Sequence, residues 1–205
     1  MIDNKKKLQF YLAADRIMNR GKATSSLKER LYRIFFPDNI MRYLESLRKE
    51  EYYSRLRGGY WPLRLINKIR YQRLGIRLGF TIPVNVFGYG LVIPHYGTIV
   101  VGAGNSIGHY AVLHTSTCIT AGKKNIGNAM YLSTGAKVLN DISLGDGVSI
   151  SANSVVNKSV QESNVLLVGS PATVKKESQP WYIRDGKEFE RRVSEVEALR
   201  QKMGL

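Results

Sequence analysis

The sequence predicts an α+β chain: a parallel β-helix of hexapeptide repeats set between a helical N-terminal region and a C-terminal helix. Three observations predict it. Aliphatic residues recur at every sixth position from Val101 onward. From about residue 91 glycine and other small residues rise and charge nearly vanishes. The flanking stretches, 5–80 and 185–203, instead carry apolar residues at helical spacing.

The repeats come first. Val101, Ile107, Leu113 and Ile119 form one series, and Ile126, Leu132, Val138, Leu144, Ile150 and Val156 form a second. A strand alternates with period two and a helix with period 3.6, so neither explains a step of six. Small residues follow many of these positions: Gly102, Gly108, Gly127, Gly145 and Ser151. Three short flats joined by tight corners make one triangular coil of about 18 residues, with each aliphatic side chain stacked on those above and below. Between the two series stands "AGKKN", 121–125. It is expected to leave the stack as an excluded loop, and loops on rigid scaffolds often carry function.

The helices follow. "SLKERLYRIFF" begins with Ser26 as an N-cap and places Leu27, Leu31 and Ile34 near helical spacing. "IMRYLESLRKEEYYSRL" and "PLRLINKIRYQRLGIRL" repeat the habit, separated by Gly58 and Gly59, with Pro62 at a helix start. Leu63, Ile66 and Ile69 form an apolar stripe, read as core or subunit interface. Near the C-terminus Phe189, Val193, Val196 and Leu199 mark a helix expected to lie along the side of the coils. The chain thus divides into a basic helical region (1–80), a β-helix domain (81–172), and a tail with its helix (173–205).

Composition bounds the function. The 205 residues, 43% of them hydrophobic, suffice for one sizeable core. No apolar run approaches the ~20 residues of a membrane span, and the N-terminus lacks a signal-peptide core, so a cytoplasmic location is expected. The single Cys118 forms no internal disulfide and reads as a small buried hydrophobe. The net charge of +15 is uneven. Residues 1–80 hold 19 Lys and Arg against 7 Asp and Glu; residues 81–172 hold 4 against 3. Such a basic region attracts anionic lipid or phosphorylated ligands. No nucleic-acid motif accompanies it, so nucleic acid is not an expected partner.

One of only three histidines stands in "VIPHYGTIVVGAG", 92–104. Neutral imidazole moves protons at neutral pH, ligates metals, or caps a strand end. The residues around it narrow the choice. "GFTIPVNVFGYGLVIPHYGTIVVGAGNSIG", "GAKVLNDISLGDGVSISANSVVNKSV" and the closing "VGSPATVKK" resemble the hexapeptide acyltransferases, and within them the serine acetyltransferase group. The likeness extends to the serine acetyltransferase-like proteins of bacterial capsule and exopolysaccharide clusters, which "YLAADRI" also resembles.

The resemblance implies a left-handed β-helix, a homotrimer, and acetyl-CoA in a groove between neighbouring coils, with no metal. His95 matches the family's catalytic histidine, a general base for a hydroxyl that attacks a thioester poorly on its own. The implied cofactor-binding positions are Gly122, Lys123, Lys124, Gly135, Ala136, Gly169, Ser170, Pro171 and Lys176, with Lys175 beside the last. Lys123 and Lys124 suit CoA phosphates or simply solvent. The acceptor-binding candidates are His114, Tyr96 and Asp15. Two departures stand out. The family's Asp before the catalytic histidine is Pro94 here, and its second histidine falls at Asn125 or Ile126. Both missing groups serve the acceptor amino acid, so the acceptor is expected to be L-serine or a sugar hydroxyl of a surface-polysaccharide pathway. A second reading is a γ-carbonic-anhydrase-like metal hydratase on His109 and His114. Its third ligand, two coils earlier, falls on Arg73. A third reading is a non-catalytic trimeric scaffold.

Overall fold

The computed structural model describes residues 1–56 and 58–205, with no account of the Arg30 and Arg33 side chains. Four helices come first: α1 (Lys5–Arg20), α2 (Leu27–Phe35), α3 (Asn39–Tyr53) and α4 (Trp61–Leu78). Ser26 caps α2 as expected, in a reciprocal box with Glu29. Gly21 and Gly79, both left-handed, end α1 and α4.

Thirteen short strands follow. The first face of a three-sided β-helix stacks β1 (Phe80–Thr81), β2 (Ile99–Val101), β5 (Thr117–Ile119), β8 (Lys137–Val138) and β11 (Val155–Val156). The second stacks β3 (Ser106–Ile107), β6 (Asn125–Ile126) and β9 (Ser143–Leu144). The third stacks β4 (Val112–Leu113), β7 (Tyr131–Leu132), β10 (Ser149–Ile150) and β12 (Val165–Gly169). All these pairings are parallel; β13 (Ala172–Glu177) then closes the third face antiparallel to β12.

The six-residue step maps onto three interior columns. Val101, Ile119, Val138 and Val156 stack behind the first face, Ile107, Ile126 and Leu144 behind the second, and Leu113, Leu132 and Ile150 behind the third. All ten are buried. Each contributes roughly 1.5–3 kcal/mol of apolar burial relative to exposure. Corner residues tie coil to coil: Asn128 Oδ1 accepts from His109 N, and Asp146 Oδ1 accepts from Asn128 N.

The excluded loop expected at 121–125 does not form. Ile119 to Ile126 is a step of seven, against six from Val101 to Ile107, so the corner absorbs a single extra residue. Gly122, at φ +150°, takes a conformation closed to other residues, and a Cβ there would meet Asp141. Lys124 folds inward, and its Nζ donates to Thr120 O at 2.9 Å.

The helices close one end and one side of this prism. Tyr43 of α3 meets Phe80 edge-on at 5.2 Å, and Ile40, Met41, Leu44 and Leu47 continue the coil core. The C-terminal helices, α5 (Trp181–Arg184) and α6 (Lys187–Lys202), join α1 in a second cluster against the outside of the coils. As expected, Phe189, Val193, Val196 and Leu199 point into it. Leu63, Ile66 and Ile69 on α4, by contrast, face outward. No described helix is long and apolar enough to cross a membrane.

Candidate active site

His95 stands at the corner where the third face turns into the first. Val92 bridges to Val112, and Ile99 pairs with Thr117. The corner between Val92 and Ile99 is therefore two residues longer than the one beneath it. Its surplus is carried by an exposed segment that includes His95 and Tyr96. The end of α4 pins this protrusion: Gly97 N donates to Leu78 O at 3.0 Å, and Ile99 N to Gly79 O at 2.9 Å.

The next coil places His114 at the same edge, half-buried. Its Nε2 lies 2.8 Å from the Tyr131 hydroxyl. Burial, and then the charge of His95, hold the His114 imidazole below its ordinary pKa. The Arg184 guanidinium covers the Tyr131 ring at 4.7 Å and donates to Ser149 Oγ at 3.0 Å. Asp185 pairs with Arg184 at 2.7 Å. Tyr131 and Arg184 were not among the sequence candidates. Tyr131 was within reach, since it precedes the inward Leu132 and therefore points outward one coil below His114. Arg184 had no signal, because it arrives through the tail.

Behind His95 lies a buried polar network. Arg48 Nε donates to Asp15 Oδ2 at 2.7 Å, and Arg48 Nη1 to Glu51 Oε2 at 3.1 Å. Burial alone would push the Arg48 guanidinium down, but the two carboxylates outweigh it and hold it above its ordinary value. Arg48 also donates to the carbonyls of Phe87 and Gly88, at 2.9 and 2.6 Å. Asp15 Oδ1 accepts from Leu91 N at 3.0 Å. Asn19 donates to Leu91 O at 2.8 Å and accepts from Ile93 N at 3.2 Å. Asp15 is thus placed under the segment that leads into His95, fully buried, rather than beside Tyr96 in solvent.

The remaining candidates fall on two edges. Gly135 and Ala136 lie between the third and first faces, as His95 does. The Gly169–Ser170–Pro171 turn ends β12 on this side, with Gly169 N donating to Ser154 Oγ at 3.0 Å. Lys175 and Lys176 are exposed on β13. Gly122, Lys123 and Lys124 sit instead between the first and second faces. Lys123 is exposed; Lys124 is buried at the corner. His109 occupies the third edge, stacked on Tyr89 at 3.8 Å, and burial drives its pKa down to about 4. No described group of three or more His, Cys, Asp or Glu side chains is placed to hold a metal ion.

No protein-family model matches the chain. Its sequence is 34% identical over 100 residues to a serine acetyltransferase of Buchnera aphidicola, covering 45% of this chain and 36% of that protein. It is 33% identical over 105 residues to a serine acetyltransferase of Mycobacterium tuberculosis, covering 48% and 45%. The matched stretches span less than half the length of these curated relatives. In fold the chain matches the serine acetyltransferase of Neisseria gonorrhoeae in complex with serine, at TM-score 0.59 and 18% identity over 84% of this chain and 70% of that one. A serine acetyltransferase in complex with CoA matches at TM-score 0.56 and 17% identity, over 83% and 70%. Fold and repeats together define a hexapeptide-repeat β-helix protein with helical caps. More particularly, about half of the chain is similar in sequence to serine acetyltransferases, and its fold matches theirs.

Proposed function

We propose that this chain is an acetyl-CoA-dependent O-acetyltransferase in which His95 is the general base. The observation that carries the reading is the elongated corner: it projects an exposed imidazole from a rigid coil, on the same edge as the small residues Gly135 and Ala136. Acetyl-CoA supplies the acetyl group. Gly135 is required by the coil itself, since its φ is positive and a Cβ there would run into Asn153; the groups offered to the cosubstrate's phosphates are the exposed Lys123, Lys175 and Lys176. His95 accepts the proton of the acceptor hydroxyl as its oxygen forms the new C–O bond. It returns that proton to the sulfur as the C–S bond breaks.

The acceptor is a small hydroxyl compound. A bound serine in the gonococcal enzyme supports L-serine. Pro94 has no carboxylate to offer an amino group, and no histidine stands at Asn125 or Ile126; together these departures favour a sugar hydroxyl. His114 and Tyr96 are the nearest candidates to bind it. The chain acts as a homotrimer, with Gly122 and Lys123 of one copy completing the groove of the next. Its basic N-terminal third brings it to an anionic membrane surface on the cytoplasmic side.

The test is release of free thiol from acetyl-CoA in the presence of L-serine, homoserine or sugar nucleotides, with mass spectrometry of the acetylated product. His95→Ala should lose roughly 10²- to 10⁴-fold in turnover. Full turnover in a folded His95→Ala protein would remove His95 from the chemistry, and failure to bind CoA would favour a scaffold.

A further inference from the structure

Two helices of the N-terminal region show water an apolar surface that none of the described residues covers. Every large apolar side chain of α2 and its C-cap is more than half exposed: Leu27, Leu31, Tyr32, Ile34, Phe35 and Phe36. Phe35 reaches 79%. In α4 the buried positions are Asn67, Gly75 and Leu78, which settle its inner face. The opposite face carries Ile66, Ile69 and Ile76, the last 84% exposed, with Trp61 exposed at the start of the helix. Such patches on a folded domain mark an interaction site.

The charge around them says what kind. In sequence α2 holds three basic residues and one acidic, Glu29, which is engaged by its own cap. In α4 there are five basic residues, Arg64, Lys68, Arg70, Arg73 and Arg77, and no acidic one. A shallow groove of about 380 Å³ on α4 is lined, among the described residues, by Ile66, Ile69, Leu74, Arg70, Arg73 and Arg77. Guanidinium groups beside aliphatic side chains match a phosphate headgroup above an acyl chain. Trp and Tyr, present here as Trp61, Tyr60 and Tyr32, suit the boundary between the two. By sequence α2 has the segregated composition of an interfacial helix, while on α4 the arginines stand beside the isoleucines of one groove.

We propose that α2 and the outer face of α4 form an interfacial anchor that inserts aromatic and aliphatic side chains into an anionic lipid bilayer. This rests on the membrane location proposed above and adds to it. Charge alone would hold the protein over the surface; insertion places it within the headgroup layer.

The full-length wild-type protein is mixed with vesicles of phosphatidylcholine alone, or with a third phosphatidylglycerol, at low and moderate salt. Binding is followed by co-sedimentation and by Trp61 fluorescence, with sedimentation velocity of the free protein alongside. Phe35→Ser/Phe36→Ser is the test variant; neither side chain is buried, so the body stays folded, which circular dichroism checks. The anchor predicts binding to the anionic vesicles that partly survives moderate salt, and a blue-shifted emission that Trp61→Phe abolishes. The double variant should then partition at least roughly tenfold more weakly. If the wild type ignores anionic vesicles at low salt, both the location and the anchor are wrong. If wild type and double variant bind equally, and salt releases both, the location stands and the anchor falls. If the wild type ignores vesicles and the double variant breaks a larger assembly into smaller units, a second copy covers this face, and the anchor also falls.

Discussion

Asp15 is fully buried, where burial pushes its carboxyl above the usual range against the pull of Arg48, and both its oxygens accept hydrogen bonds. One goes to Arg48 and the other is shared between Arg48 and the amide of Leu91. Removing one member of a buried pair leaves the other charge stranded, at a cost of about 3–5 kcal/mol. Arg48 would keep Glu51 as a second buried partner, so Asp15→Ala should lower stability by up to about that amount in a denaturant melt. It should also lower turnover beyond the unfolded fraction, because Arg48 would release the carbonyls of Phe87 and Gly88 that orient the run into His95. Turnover equal to wild type, corrected for folded protein, would make the network purely structural. At this scale the sequence was partly legible. His95 stands out in the sequence because its neighbours form a motif, and the structure places it on an exposed corner. Asp15 was readable as notable, but its partners lie far along the chain, and no local period joins residues 15, 48 and 91. Arg184 was invisible for the same reason.

The elements were more legible than the joints between them. Ten aliphatic positions obey one step, and each sits in a buried column. The helices followed from caps and apolar spacing. Two corners did not. The stretch 121–125 has the loop-like composition of an excursion, yet Lys124 turns in and satisfies the carbonyls of its own corner. The true surplus is at His95, upstream of Val101, where no established period existed to measure it against. The tail is the other hidden joint. Trp181 is buried, and its Nε1 donates to Tyr110 O at 2.8 Å. It docks α5 so that Arg184 can cover Tyr131. Trp181→Ala should cost about 3–5 kcal/mol. It should also free Arg184 from the ring, visible as altered chemical shifts at Tyr131 and His114. A variant that leaves the His114 signals unmoved would show that Arg184 holds its place without Trp181.

For the whole molecule, the two groups of cofactor candidates bear on the proposed trimer. His95, Gly135 and Ala136 share one edge of the prism, while Gly122 and Lys123 share another. One cosubstrate reaches both sets if neighbouring copies set unlike edges together, as three-fold symmetry does. Sedimentation equilibrium should therefore give three times the chain mass. Trimers reassembled from His95→Ala and Lys123→Glu chains should recover activity that each variant lacks, since some grooves are then intact. No recovery in verified mixed trimers would place the working residues on one chain, or Lys123 outside the site. None of this was legible in the period itself, which fixes what points inward and is silent on which edges meet.

A stack of parallel coils has two open ends, and each is a row of unpaired backbone groups ready to accept another strand. In this chain both ends are shut. Tyr43 and its neighbours on α3 lie across the first coil. At the far end the chain reverses, and β13 presents Lys175, Lys176 and Glu177 along the outermost edge. The same architecture that would otherwise grow coil upon coil into a fibre is thereby made finite. Growth coil upon coil is blocked, and a discrete particle, rather than a filament, is what the reversal after β12 favours.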